Sequence, residues 1–223
     1  MRDFHWGLMT EDERRDAARD LGVALEGVAR ILLAAPQLAR NSATRAMPLL
    51  EAAVRDRPDD LPARESLGYA LEVMDRPDEA LRAYEEVLRN EPGRETTLSS
   101  SARVLIRLER PDLARLVLEK TIALNPWRSD YRLPLAGVCR RSGDWPAAIA
   151  ACREAIRLNP ELFEARTLLI QCYLLSNQPD KAEAELQILF GFYPASREVW
   201  QRWYDQQKQA APGGGGSSVT GKH

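Results

Sequence analysis

Prolines recur along this chain at a spacing of 34 residues, and this spacing restricts the possible folds more than any other feature. The column consists of Pro58, Pro92, Pro126, Pro160 and Pro194. Proline has no backbone N–H and disfavours helical backbone at the residue before it, so each of these prolines is predicted to end a helix. A fixed period of this length indicates repeated supersecondary units that bury their apolar faces against their neighbours.

A column of alanines has the same period, and a column of mostly larger side chains follows it four residues later. The alanines are Ala46, Ala80, Ala114, Ala148 and Ala182, and the larger residues are Leu50, Tyr84, Leu118, Cys152 and Leu186. A small side chain lets two helices cross closely, and the residue four positions later lies one turn away on the same face. The columns predict helix pairs starting near residues 61, 95, 129 and 163, with a turn inside each pair.

The clearest unit resembles the tetratricopeptide repeat family, whose pattern is W-x2-L-G-x2-Y…A-x3-F…P. Its matching residues are Leu67, Gly68, Leu71, Ala80, Tyr84 and Pro92. The departures fall at the tryptophan position of the family, which holds Arg64, Leu98, Arg132 and Arg166. The resemblance implies an all-α fold, a right-handed α-solenoid of helix–turn–helix repeats with an N-terminal helix and a C-terminal capping helix.

The pattern divides the chain into five segments. They are an unassigned segment (1–9), an N-terminal helix with an irregular first repeat (10–60), four 34-residue units (61–196), a capping helix (197–209) and a disordered Gly/Ser-rich tail (210–223). Pro36 is expected to end the N-terminal helix, with a second helix from about residue 43 to 57. Pro134 is expected to kink or delay its helix.

Aromatic residues mark the predicted ends of several helices. Val199, Trp200, Trp203 and Tyr204 form one stripe, which is predicted to cover the last unit; a dimer interface is the alternative. Trp127 and Trp145 are predicted to pack between units.

The sequence offers little support for a catalytic site, because histidine is scarce and the common catalytic motifs are missing. The two histidines are His5 and His223, and no phosphate-binding glycine loop, H-E-x-x-H or C-x-x-C run occurs. We therefore expect no enzyme activity, no cofactor and no metal site. Cys139 and Cys152 are expected to be apolar fillers, with a redox pair as the alternative.

The charge balance restricts the class of partner. The chain has 31 Lys and Arg against 33 Asp and Glu, which gives a net charge of −2 and no global attraction to nucleic acid or to an anionic membrane. With no apolar signal at the N-terminus, a cytoplasmic location is the default expectation. A periplasmic or extracellular location is expected if the chain is a fragment of a larger secreted protein.

The first helices of successive units are expected to line a groove that binds a protein or peptide. Its predicted residues are Glu65, Tyr69, Arg103, Arg107, Arg140, Arg141 and Gln171. Guanidinium groups suit carboxylate partners, which favours an extended peptide of acidic character. The alternative is that these arginines are solvated surface charges paired with neighbouring glutamates. The oligomeric state stays open.

A second resemblance gives an alternative function. Residues 19–25 and 125–131 are similar to the C-terminal repeat region of large bacterial proteins that join multihaem cytochrome c segments to such repeats. This resemblance implies an accessory module of a redox protein. The chain itself contains no C-x-x-C-H haem-attachment run.

Overall fold

Consecutive α-helices make up most of the described chain, as expected for an all-α fold. The computed structural model describes residues 23–211, with side chains from residue 40 onward. The helices are α1 (Val23–Asp56), α2 (Leu61–Val73), α3 (Pro77–Asn90), α4 (Glu95–Arg107), α5 (Pro111–Leu124), α6 (Arg132–Arg141), α7 (Trp145–Leu158), α8 (Phe163–Leu175), α9 (Pro179–Phe192) and α10 (Arg197–Ala210). Predictions for residues 1–22 and 212–223, with both histidines, lie outside the described residues. In the described part, no helix has both the length and the apolar character needed to cross a membrane.

Contacts within the backbone divide the chain into two compact units, residues 1–80 and 81–223. In the first unit α1 packs against α2. In the second unit each helix from α4 to α9 packs against the next, and α10 packs on α9 and α8.

The first helix differs from its prediction. It continues without a break through Pro36 and Pro48, so the expectation that Pro36 ends a helix is wrong. A proline inside a helix removes one donor at a cost of about 3 kcal/mol. Two separate helices would instead leave up to four unpaired groups at each new end.

The buried face of α1 is also shifted along the helix. Ala43 and Met47 are buried, whereas Ala46 and Leu50 are only half-buried. The period of the later units therefore does not extend unchanged into this helix.

From Ala80 onward, the alanine column is completely buried inside the repeats. Ala80, Ala114, Ala148 and Ala182 are all 0% exposed. The larger residues four positions later, from Tyr84 to Leu186, are buried with them. Close helix crossings thus recur at the predicted period.

Each turn inside a helix pair uses one residue with a left-handed backbone. These residues are Asp75 (φ 62°), Glu109 (φ 54°), Gly143 (φ 75°) and Asn177 (φ 58°), again 34 residues apart. The N–H of the following residue reaches back to a carbonyl near the end of the first helix, for example from Arg110 to Leu105 at 3.0 Å. This is the hydrogen bond that closes a helix C-terminus in a Schellman motif.

The helix that contains Pro134 begins late, which is one of the two effects expected of this proline; the other was a kink. α6 begins at Arg132, three residues after the predicted start. Pro134 then stands in the first turn, where an N–H has no partner within the helix, so no hydrogen bond is lost.

Trp127 and Trp145 differ in how deeply they are buried. Trp127 lies in the connection between α5 and α6 and is 77% exposed, so its predicted packing between units is wrong. Trp145, the first residue of α7, is half-buried.

The C-terminal helix packs through an aromatic cluster. Trp200 is 0% exposed and its ring lies 6.0 Å from Phe163, 6.4 Å from Tyr193 and 6.0 Å from Trp203. Tyr204 is buried beside them, whereas Val199 is exposed. Val199 therefore does not belong to the buried stripe that was predicted to include it with Trp200, Trp203 and Tyr204.

Replacing Ala148 by leucine tests the close crossing. Extra methyl groups at a fully buried position force helices apart, so the free energy of unfolding should fall by about 1–3 kcal/mol. Urea denaturation followed by circular dichroism measures it. The control is Ala150→Leu on the exposed face of the same helix, where the change should stay within about 0.5 kcal/mol. Equal losses in both variants would contradict the packing argument.

Candidate functional site

The predicted groove residues all lie on the first helix of a 34-residue repeat. Glu65 and Tyr69 are on α2 in the first unit, where Tyr69 is 58% exposed and Glu65 half-buried. The other five lie on α4, α6 and α8, in the second compact unit of the chain (residues 81–223). This compact unit therefore carries all four predicted arginines, and the site is described there.

Arg103 and Arg107 present exposed guanidinium groups on α4. Arg103 lies one turn after Ser100 and donates to its hydroxyl at 3.4 Å. Both side chains also make interactions within the protein, which agrees with the alternative that these arginines are partly paired surface charges.

Arg140 and Arg141 are neighbours in sequence but line two different cavities. Arg141 lines a cavity of about 220 Å³ with Ile106, Glu109 and Pro111 at the turn between α4 and α5. Arg140 lines a smaller cavity on the side of α8 and α10. Adjacent helical residues point about 100° apart, so the four arginines do not converge on one point.

Gln171 is held by the C-terminal helix. Its Nε2 donates to Oε1 of Gln207 at 3.0 Å. A part of the predicted groove therefore lies against α10. The sequence shows no signal for this contact, because Gln207 falls outside every repeating column.

Gly137 leaves free space on α6, in the middle of the predicted groove. It occupies the same register as Arg103 on α4 and Gln171 on α8. A Cβ placed at Gly137 would have no heavy atom within 4 Å. A partner backbone can approach α6 closely here.

A carboxylate clamp ties the start of α4 to the connection before α6. Oε1 of Glu95 accepts from the hydroxyl of Tyr131 at 2.6 Å and from Arg128 at 2.9 Å. Arg128 also lies 5.1 Å over the Tyr131 ring. The hydrogen bond from Tyr131 holds the pKa of Glu95 below its ordinary value, and burial, with the bond to Glu95, raises the pKa of Tyr131 to about 12.

Arginines replace the tryptophan of the repeat pattern in three repeats, and they have a role that sequence reasoning missed. Arg132 and Arg166 are buried, and Arg64 is half-buried. In three units the guanidinium donates to the carbonyl of the proline six residues earlier, where the preceding helix has ended. The pairs are Arg64 with Pro58, Arg132 with Pro126, and Arg166 with Pro160. The regular spacing of these arginines was the available signal. Each bond holds a first helix to the turn before it.

The three cysteines are free and buried together in the second unit. Cys139 and Cys172 pack with Ala148. Cys152 shares a hydrogen bond with Cys172, which together with burial raises the pKa of Cys152. The same bond lowers the pKa of Cys172, and burial raises the pKa of Cys139. The cluster agrees with the expected filler role, although Cys152 contacts Cys172 most directly.

The site offers donors for recognition rather than a set of reacting groups. In the described part of the chain, no three His, Cys, Asp or Glu side chains are placed to hold a metal ion. The polar side chains in register with Gly137 on the neighbouring first helices are Arg103 and Gln171, which offer guanidinium and amide donors.

The Glu95 clamp should make stability depend on pH. Because its pKa is lowered on folding, Glu95 stabilises the fold above its ordinary value of about 4.5, and this contribution is lost as pH falls through the folded value. Glu95→Gln should therefore reduce the difference in urea midpoint between about pH 7 and about pH 3.5. The control is Glu161→Gln at an exposed loop position. A wild-type pH profile in Glu95→Gln would rule out the clamp.

Burial should protect all three thiols. Cys139, Cys152 and Cys172 are at most 1% exposed, so a thiol-specific chromogenic reagent should react slowly with the native protein. In urea all three should react. Rapid reaction of any cysteine in the native state would contradict the packing described here.

Known families and structures match the chain as repeats. Family models described as tetratricopeptide repeat match residues 37–95 and 100–163, and a further one matches residues 140–201. No curated protein sequence matches. The second resemblance, to multihaem proteins, gains no support from these matches.

Several solved structures share the fold at low sequence identity. YrrB, a TPR protein with an unusual peptide-binding site, is 20% identical with a TM-score of 0.66, over 73% of this chain and 84% of that one. A MamA protein is 15% identical with a TM-score of 0.67, over 77% and 93%. MamA from Desulfovibrio magneticus is 19% identical with a TM-score of 0.64, over 72% and 96%. These matches confirm the predicted fold class.

Proposed function

Because the chain belongs to the tetratricopeptide repeat family, we propose that it is a non-catalytic scaffold that binds a segment of a partner protein. The binding surface is the face formed by the first helices α4, α6 and α8. The observation that carries the proposal is the open position at Gly137, with Arg103 and Gln171 in the same register on the neighbouring first helices.

The chemistry of this face favours an extended peptide with acidic side chains. Arg103 and Arg107 are exposed, and Arg140 and Arg141 each border a cavity. A guanidinium offers a planar set of donors that matches a carboxylate. At Gly137 a peptide backbone can lie near α6 without meeting a side chain.

Fold-level similarity supports a peptide partner. YrrB, which has the same fold, is a TPR protein with a peptide-binding site. Repeat folds serve several functions, so the residues of this chain, and not the fold, define the type of peptide. A cytoplasmic location belongs to the same proposal, because a reducing compartment suits three buried free thiols.

The proposal can be tested with a phage-displayed library of random 12-residue peptides. The wild-type protein should select peptides enriched in Asp and Glu, and the double variant Arg103→Glu/Arg140→Glu should bind them at least about tenfold more weakly. The matched control is Arg89→Glu/Arg157→Glu, which changes the net charge equally at exposed positions of second helices.

A second pair of variants tests the position of the peptide. Gly137→Tyr should block binding by filling the open space on α6. Gly191→Tyr on α9 is its control, because a Cβ there also meets no atom within 4 Å. Equal binding by both tyrosine variants, or by both charge variants, would show that the peptide does not use this face. Selection of no peptide at all would contradict the scaffold function.

A further inference from the structure

The C-terminal helix and the end of α6 enclose a small cavity beside the predicted groove. Its volume is about 60 Å³. The polar residues that line it are Arg140, Gln171 and Gln207, and its apolar walls include Leu174, Leu175 and Ala210. It therefore combines donors from three different helices in the second unit.

Arg140 is unusual among the arginines of this unit. Its Nε atom is buried and has no hydrogen-bond partner among the described residues. The buried arginines Arg132 and Arg166 instead donate to backbone carbonyls, and Arg166 also pairs with Glu185. A buried donor without an acceptor is unfavourable, so the guanidinium of Arg140 is only partly satisfied within the protein. The same side chain lines the cavity, where an acceptor from outside the chain can bond to it.

Arg140 also lies near two buried cysteines, because its charge acts on the thiols of Cys152 and Cys172. A thiol is only a weak hydrogen-bond acceptor. A guanidinium beside the cavity is therefore available to a stronger acceptor, such as a carboxylate oxygen.

The two glutamines add amide donors. Gln171 uses one N–H of its Nε2 to bond Oε1 of Gln207. An amide nitrogen carries two hydrogens, so Gln171 keeps one donor and Gln207 keeps two for a further acceptor. The cavity is thus lined by N–H donors and apolar carbon.

We propose that this cavity binds the carboxylate of one acidic side chain in the partner peptide. The inference rests on the proposed function and assigns one contact within it. The Arg140 guanidinium donates to one carboxylate oxygen, and an amide of Gln171 or Gln207 donates to the same group. The volume matches about two water molecules, which is the scale of a carboxylate group. The apolar walls make the surroundings less polar than bulk water, which strengthens a charged hydrogen bond.

The contact makes α10 part of the binding site. Gln207 and Ala210 belong to α10, and the burial of Trp200 and Tyr204 fixes that helix in place. The carboxylate pocket is therefore complete only while α10 is docked.

A double-mutant cycle tests the pocket with an acidic peptide selected on the wild-type protein. Each Asp or Glu of the peptide is replaced in turn by Asn or Gln. One replacement should weaken binding to the wild type about tenfold or more and should cause no further loss with Arg140→Gln. Arg141→Gln is the matched control, and it should retain the tenfold effect because Arg141 faces a different cavity.

A spectroscopic measurement reports on the Arg140 guanidinium. The Nε–H resonance of Arg140, assigned by its absence in Arg140→Lys, should shift with the acidic peptide and not with its amide counterpart. Gln207→Leu should reduce the shift, because it removes one of the amide groups that line the cavity. N-acetylglutamate N-methylamide serves as a second probe, with N-acetylglutamine N-methylamide and inorganic phosphate as its controls.

The outcomes separate the two proposals. Peptide binding without coupling at Arg140 would overturn the pocket and leave the scaffold function intact. If no peptide binds, the scaffold function fails, and a shift with the glutamate probe alone would still support the pocket. No shift with that probe, or an equal shift with phosphate, would overturn the carboxylate assignment.

Discussion

The close crossing of helices at the alanine column is the constraint on which the repeats depend. Four alanines with no exposed surface recur at one period, and the side chain four residues later fills the space that each leaves. A protein interior is packed as densely as an organic crystal, so such a crossing admits little variation in side-chain volume. The outward positions of the first helices carry no such restriction. They are therefore free to differ from unit to unit, as Arg103, Gly137 and Gln171 do.

Most of the fold could be predicted because the dominant forces repeat along the sequence. Proline, alanine and the larger residue each repeat at 34 residues, and the helix pairs follow these columns. α1 could not be predicted in this way, because its continuity depends on the whole helix and not on Pro36 alone. The left-handed turn residues could not be predicted for a different reason, because only Gly143 among them is a glycine. Asp75, Glu109 and Asn177 adopt the same backbone conformation under the restraint of the helices on either side.

The candidate site was less predictable than the fold. Register alone places a residue on a helix face, but it does not say what lies opposite that face. Arg140 and Arg141 are one residue apart and border separate cavities, a difference that only the position of neighbouring elements decides. The contact between Gln171 and Gln207 joins α8 to a helix outside the repeats. A contact with a helix outside the repeats does not recur at the 34-residue period, so the period does not reveal it.

The periodic left-handed turns have a consequence for how chains of this kind change in length. Each turn residue is followed by the same hydrogen bond to the helix before it, so equivalent turns are interchangeable junctions. Joining the backbone at Asp75 directly to the segment after Glu109 would remove one period and leave every column in register. A deletion of any other length would rotate the buried face of all later helices toward water. Insertions and losses of whole units are therefore the length changes that this architecture tolerates, and α10, which closes the last unit, would be carried along unchanged.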